Sequence, residues 1–340
     1  MKPNCLAVGM GSVPLADCVE GMGFVRRFFP AIPNWPQLPR TGFKDNMYAQ
    51  YSEGFPGMIL DETNQRLHVD TEAFMESVEG FFERYLGGNP EYFRMSREFA
   101  AGLYEMMKTD LSGAVGVKGQ VTGPVSFGMQ VVDENKRCIA YNDSMREVLT
   151  KFLQMKARWQ EVMLRRLNPN TIIFLDEPYL SAFGSAYFNL DRETVTGMLG
   201  EVLSGVEGLK GVHCCGNTDW SLLLESPIDI LSFDAYGFGH NFSLYSDDAA
   251  EFLKKDKMIA WGIVPTNADD IRKTSREDLL KRFDACLGSL VDKGLDKRFI
   301  LERSFITPAC GVGGESKGNA ARVLELTAEV SAALREEYAL

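Results

Sequence analysis

The stretch HCCGNTDW, His213 to Trp220, follows a short apolar run at Gly211-Val212 and sets a histidine and two cysteines side by side. In an extended strand residues i and i+2 face the same way, so His213 and Cys215 point together while Cys214 turns to the opposite side. Imidazole and thiolate are donors that zinc favours, and a catalytic zinc takes about three protein ligands and keeps one position open. Cys310, in TPACG at 307–311, is placed to supply the third ligand, and Asp234, directly after the run ILSF, a fourth. The plain alternative is a satisfied core histidine beside small buried thiols. A second cysteine and an acid at the ends of other apolar runs favour the metal. The chemistry of such a centre is specific: a free thiol of pKa about 8.5 is mostly protonated at neutral pH, and coordination to zinc removes the proton. The result is a positioned sulfur nucleophile.

These residues need a scaffold that brings distant chain segments to one end. Short apolar runs occur at NCLAVGM (4–10), GMILD (57–61), VGVKGQV (115–121), TIIFLD (171–176), GVHCC (211–215), IDILSF (228–233), KMIAWG (257–262) and RFILE (298–302). Between them lie segments with apolar residues at i, i+3 and i+4, among them 71–85, 91–107, 144–167, 192–206, 249–255, 276–291 and 319–337. Strands alternating with helices imply parallel pairing, and eight such units predict a (β/α)8 barrel, a TIM barrel, formed by residues 1–340 as a single α/β domain. Active sites in that fold sit at the C-terminal strand ends. Those ends carry Gly11-Ser12, Thr122-Gly123-Pro124, Asp176-Glu177-Pro178, His213 with Cys215, Asp234, Pro265-Thr266 and Cys310-Gly311. Residues 11–55, punctuated by Pro30, Pro33, Pro36 and Pro39, read as an irregular loop lying over one barrel end.

Composition narrows the partners. Hydrophobic residues at 45% and charged residues at 24% are the balance of an ordinary globular protein, and a net charge of -11 argues against nucleic acid and against anionic membrane surfaces. No run approaches the ~18 apolar residues of a membrane span, and MKPNCLAVGMGSVP lacks the pattern of a signal peptide, so the expected compartment is the cytoplasm. Seven scattered cysteines do not form a disulfide framework.

Taken in order, GMGSVP (9–14), VTGPVSF (121–127), FLDEPYL (174–180), the H-x-C at 213–215, ILSFDAYG (230–237) and TPACGVGG (307–314) resemble the catalytic C-terminal barrel of the cobalamin-independent methionine synthase family, in its compact core form, within the uroporphyrinogen-decarboxylase-like superfamily. The resemblance spans nearly the whole chain and implies a methyltransferase that moves a methyl group to the thiol of homocysteine. It implies zinc on His213, Cys215 and Cys310, with the family's acidic ligand falling on Asp234, where Glu is more usual. Gly11 and Ser12 match the site of the substrate carboxylate, and Asp176 the site of its ammonium. A second acidic partner of the ammonium lies in the family ahead of the stretch matching Asn46-Met47; Glu53 is the residue considered for it here.

The donor is where the chain departs from the family's folate enzymes. Those carry a histidine after the seventh strand, suited to protonating the nitrogen from which methyl leaves, whereas WGIVPTNADD (261–270) has none. Methyl on cobalt needs no proton, so methylcobalamin or a methylated corrinoid protein is the expected donor, with the loops from Pro30 to Arg40 as its docking rim. Transfer to coenzyme M, methyltetrahydrofolate as donor, and a zinc-stabilised binding barrel without turnover are the competing readings.

Overall fold

The computed structural model describes residues 1–340. It is a mixed α/β fold around a curled sheet of six parallel strands: β3 (Val117–Thr122), β5 (Thr171–Asp176), β6 (Leu209–Cys214), β7 (Ile230–Phe233), β8 (Met258–Val264) and β9 (Ser304–Pro308), adjacent in that order. β1 (Met58–Asp61), β2 (Arg66–Val69) and β4 (Val132–Asp133) form a separate three-stranded sheet. No helix is long and apolar enough to cross a membrane.

Helices cover one face of the six-stranded sheet, so its strands are buried on both sides and read as continuous apolar runs such as TIIFLD. Alternation still decides what lies inside the curl. Ile172 and Phe174 join Ile230, Met258, Ala260 and Phe305 in a ten-residue inner cluster, closed by Leu6, Val8 and Met10, while Ile173 and Leu175 pack outward with the helices. The same parity turns Asp176 inward. Register then pairs Asp176 with His213 and His213 with Ser232, so all three stand on the inner face at the C-terminal rim.

Of the eight barrel strands expected, six form the curled parallel sheet, and two extended segments flank it in place of the others. Residues around Ala7 run beside β9, with Val8 N–H donating to Ile306 at 3.0 Å and Ile306 N–H to Leu6 at 3.0 Å. Left-handed Asn4 and Cys5 and the glycines at 9 and 11 keep that segment from forming a regular ladder. Beside β3 the expected second strand is absent, because 57–61 belongs to the outer sheet. Its place is taken by residues 31–37, bridged at Asn34 to Lys118 and at Gln37 to Ser12. Proline lacks the N–H that a ladder needs, and Pro33 and Pro36 limit this segment to isolated bridges.

Residues 11–55, expected as an irregular loop over the barrel end, do reach the cavity at the rim through Ser12, Gln37 and Asp45, but they are not loop throughout. Cys18–Phe28 is a helix capped by Asp17, whose carboxylate accepts from Glu20 N–H at 2.8 Å, and residues 32–38 are buried, with Trp35 and Leu38 at 0% exposure. Only the ends of the supposed rim, Pro30, Pro39 and Arg40, are exposed. RFILE is likewise the helix Lys297–Glu302, capped by Asp296, and the last strand follows it at 304. A five-residue run is too short for periodicity to separate helix from strand. The expected helix over 91–107 is divided into the short turns Pro90–Phe93 and Ala101–Met106.

Candidate metal and substrate site

His213, Cys215 and Cys310 converge at the rim, their ligand atoms all within 4.8 Å of one another. His213 ends the inward row of β6, and Cys215 lies one residue beyond that strand. Cys310 is brought over by the turn after β9, where Ala309 N–H donates to Val264 at 2.8 Å across an irregularity in the β8–β9 register. Cys214 faces the helix layer, fully buried, its thiol donating to Gly216 O at 3.4 Å and pushed up to about 12 by burial.

The donor set fits zinc. Bonds of about 2.0–2.3 Å put tetrahedral ligands ~3.5 Å apart, so a small contraction of this group would enclose the ion. His213 Nδ1 lies 3.0 Å from Ser232 Oγ, and a proton donated there leaves Nε2 a lone pair; Nε2 is buried with no hydrogen-bond partner. The closeness of Cys310, then of His213, draws the Cys215 thiol well below its ordinary value, while Cys310 is held well above its own. Asp234 stands outside this group. Its carboxylate caps the helix Ala235–Ser243, accepting from Gly237 N–H at 2.7 Å, and it is not among the ligand atoms that converge. It remains close enough to interact electrostatically with His213 and Cys215.

The cluster opens onto a cavity of about 270 Å³ that also carries Ser12, Asp45 and Asp176. Gly11 lies just beneath, at φ +142°, where a Cβ would stand 2.5 Å from Gln37 Oε1, so no side chain fits there. Its neighbour Ser12 accepts from Gly313 N–H at 3.2 Å, tying the N-terminal segment to the Cys310 turn. Asp176 Oδ1 is buried without a partner, and burial pushes the carboxyl up to about 6 against the pull of Lys118 and His213. Lys118 is buried below it, donating to Met10 O at 3.1 Å, and burial lowers its pKa to about 8. Glu177 turns away, accepting from Val125 N–H at 2.9 Å and Ser126 N–H at 2.7 Å at the start of the helix Pro124–Gln130.

Asp45 is the residue that sequence reasoning missed. It is buried on the same cavity, bonded to Thr41 and, at 3.2 Å, to Gln50 Nε2, and burial pushes it up to about 6. Its position immediately ahead of Asn46-Met47 was the available signal. Glu53, considered instead, does not line the cavity and accepts from Ser96 N–H at 2.6 Å. Two desolvated carboxylates on one small cavity, both within electrostatic reach of buried Tyr51, favour a cationic guest.

No model of a known protein family and no curated protein matches the sequence. Among solved structures, a methyltransferase from Methanosarcina mazei superposes with a TM-score of 0.54 at 14% identity, over 98% of this chain and 95% of that one. A B12-independent methionine synthase from Shewanella sp. W3-18-1, solved with selenomethionine, gives 0.48 at 18% identity over 69% of this chain; the match spans 65% of that protein's length. At these identities the likeness is one of fold.

Proposed function

We propose that this chain is a zinc-dependent methyltransferase that methylates the thiol of homocysteine to give methionine, with methylcobalamin or a methylated corrinoid protein as donor. The observation that carries the reading is one small cavity whose lining holds both a His/Cys/Cys cluster and two carboxylates, Asp45 and Asp176. A thiol and an ammonium on the same small molecule satisfy both sets of groups.

A zinc ion on His213, Cys215 and Cys310 would supply a substrate thiolate at neutral pH. The chain's own groups do the rest. Asp45 and Asp176 hold the ammonium, and the Ser12 hydroxyl with nearby backbone N–H groups receives the carboxylate. Ser232 fixes the His213 ring. Transfer would be a displacement in which the sulfur lone pair forms the S–CH3 bond and the electron pair of the broken methyl bond stays with the corrinoid that leaves. The thiol proton leaves to solvent beforehand. Orientation of sulfur and methyl in line contributes several of the roughly 7–11 kcal/mol available to well-placed reactants.

The corrinoid donor is supported by the cavity's basic groups. His213 is the one histidine on its wall; His240 is exposed on the helix Ala235–Ser243, and His68 lies in the outer sheet. A pterin leaving group would need an acid there. Coenzyme M has no ammonium to meet Asp45 and Asp176, and a pure binding barrel has no use for an open position beside three ligands. The test is methyl transfer by zinc-loaded protein to homocysteine or coenzyme M, each with methylcobalamin or methyltetrahydrofolate. Methionine from homocysteine and methylcobalamin is expected; efficient turnover with methyltetrahydrofolate alone, or preference for coenzyme M, overturns the reading.

A further inference from the structure

Beside its two carboxylates the rim cavity carries another polar group, the amide of Gln37. The backbone of this residue is locked to the segment that bears Ser12: Gln37 N–H donates to Gly11 O at 3.1 Å, and Val13 N–H donates to Gln37 O at 3.0 Å. The side chain is buried, so the direction of its amide matters, because one end of an amide only donates and the other only accepts.

The neighbours decide that direction. Phe99 O can only accept, so Gln50 presents Nε2 to it at 2.7 Å, with Asp45 on the same nitrogen at 3.2 Å. Gln50 Oε1 is then turned to Gln37, which meets it with Nε2 at 2.7 Å. The Tyr51 phenol gives its proton to Gln120 O at 2.6 Å, which leaves its oxygen to accept from the same Gln37 Nε2 at 3.4 Å. The donors of Gln37 are thereby consumed. Its Oε1 lies against Gly11 and accepts from no group of the protein.

The place of this oxygen suits one donor in particular. Gly11 and Ser12 form the proposed carboxylate site, and Tyr51, which bonds Gln37, is the phenol that Asp176 and Asp45 both reach electrostatically. In an α-amino acid the ammonium and the carboxylate share one carbon, so an acceptor bordering both sites meets the ammonium. That group has three N–H donors, and the two carboxylates take two of them. We propose that Gln37 Oε1 is the third acceptor for the substrate ammonium, with Gln50 and Tyr51 holding the amide in its accepting orientation. The inference rests on the amino-acid reading of the acceptor thiol and is independent of the methyl donor.

The test compares homocysteine with 4-mercaptobutanoate, which has the same thiol, chain and carboxylate but no ammonium, by calorimetric titration of zinc-loaded full-length protein without a methyl donor. Gln37→Met, similar in size, is expected to bind homocysteine about tenfold more weakly, the loss of one hydrogen bond to a charged group, and to bind 4-mercaptobutanoate as wild type does, with zinc content unchanged. Gln37→Glu keeps an acceptor oxygen in place and should hold or increase the preference for homocysteine. A loss similar to the first is expected when Gln37→Met is added to Asp45→Asn. No loss in that background means that Gln37 acts only through Gln50 on Asp45, and the direct contact is overturned. An unchanged preference in Gln37→Met, an equal fall for both ligands, or a reduced preference in Gln37→Glu overturns it as well. A wild type that binds the two ligands equally overturns the amino-acid reading itself.

Discussion

The two walls of the cavity are built from different kinds of backbone. The metal-capable wall hangs on β6 and on the turn that directly follows β9, both strands of the parallel ladder. The carboxylate wall is shared: Asp176 ends a strand, but Ser12 and Asp45 sit on segments with no ladder, held by single bridges and side-chain bonds. Gln37 Nε2 donates to Gln50 at 2.7 Å, Gln50 Nε2 to Phe99 O at 2.7 Å, and Tyr51 OH to Gln120 O at 2.6 Å. Metal ligands need positions fixed to a few tenths of an ångström, which a ladder supplies. Recognition of an amino acid needs backbone N–H groups and polar side chains free to face the guest, and a ladder would consume them.

The largest effect should come from breaking the ladder-borne wall. His213→Ala, Cys215→Ser and Cys310→Ser are each expected to lose bound zinc on dialysis and to reduce methyl transfer by more than about a hundredfold, since each removes one of the three proposed ligands. Cys214→Ser should keep both, because its thiol faces the helix layer. Metal analysis decides the matter: loss of zinc in the Cys214 variant with retention in Cys215→Ser would mean that the two cysteines have been assigned to the wrong faces.

The other wall should fail differently. Asp176→Asn and Asp45→Asn are expected to weaken homocysteine binding by about 1.5–3 kcal/mol each, the range for a charge-assisted contact, while zinc stays bound. Calorimetric titration reads both quantities in one preparation. If Asp45→Asn binds homocysteine as tightly as wild type, the irregular segment has no part in recognising the ammonium.

This division also marks what was legible in the sequence. TIIFLD and Arg276–Val291 have the structure their patterns implied, because a doubly buried strand and a helix with the Ser275/Asp278 capping box announce themselves locally. His213, Cys215, Cys310, Ser12 and Asp176 come together as the spacing of strand ends implied. Residues 31–37 were not legible, since a segment buried all round and interrupted by prolines shows neither period. Asp45 was hidden with them: apart from its place ahead of Asn46-Met47, no periodicity in FKDNM reveals that the chain folds this carboxylate into a cavity rather than out to water.

A smaller effect follows from protonation. Asp45 and Asp176 are pushed up to about 6 from an ordinary value near 3.8. Between about pH 4 and 6 the folded, unliganded protein therefore holds more protons than the unfolded chain at these positions, and their contribution to stability falls as pH rises through that window. A bound ammonium favours the ionised forms, so binding of methionine, the proposed product, should weaken as pH drops from 7.5 to 5, by about tenfold for each carboxylate that must ionise. Titration of wild type and Asp45→Asn across that range checks this; an equally steep fall in the variant would remove Asp45 from the linkage.

The smallest expected effect tests the boundary between the walls, at Asp234. The residue matches a family ligand, yet its carboxylate is spent on the N-terminus of Ala235–Ser243. If capping is its whole role, Asp234→Ala should cost about 1 kcal/mol of stability and leave zinc content unchanged, whereas Asp234→Asn, which keeps a capping oxygen, should be near neutral in both. Thermal unfolding and metal analysis on the two variants separate the roles. Should both lose zinc, the acid leaves its cap to reach the metal when the ion binds, and the helix Ala235–Ser243 gains a free N-terminus at the moment the centre assembles. That outcome would make the ladder-borne wall the mobile one and reverse the contrast drawn between the two.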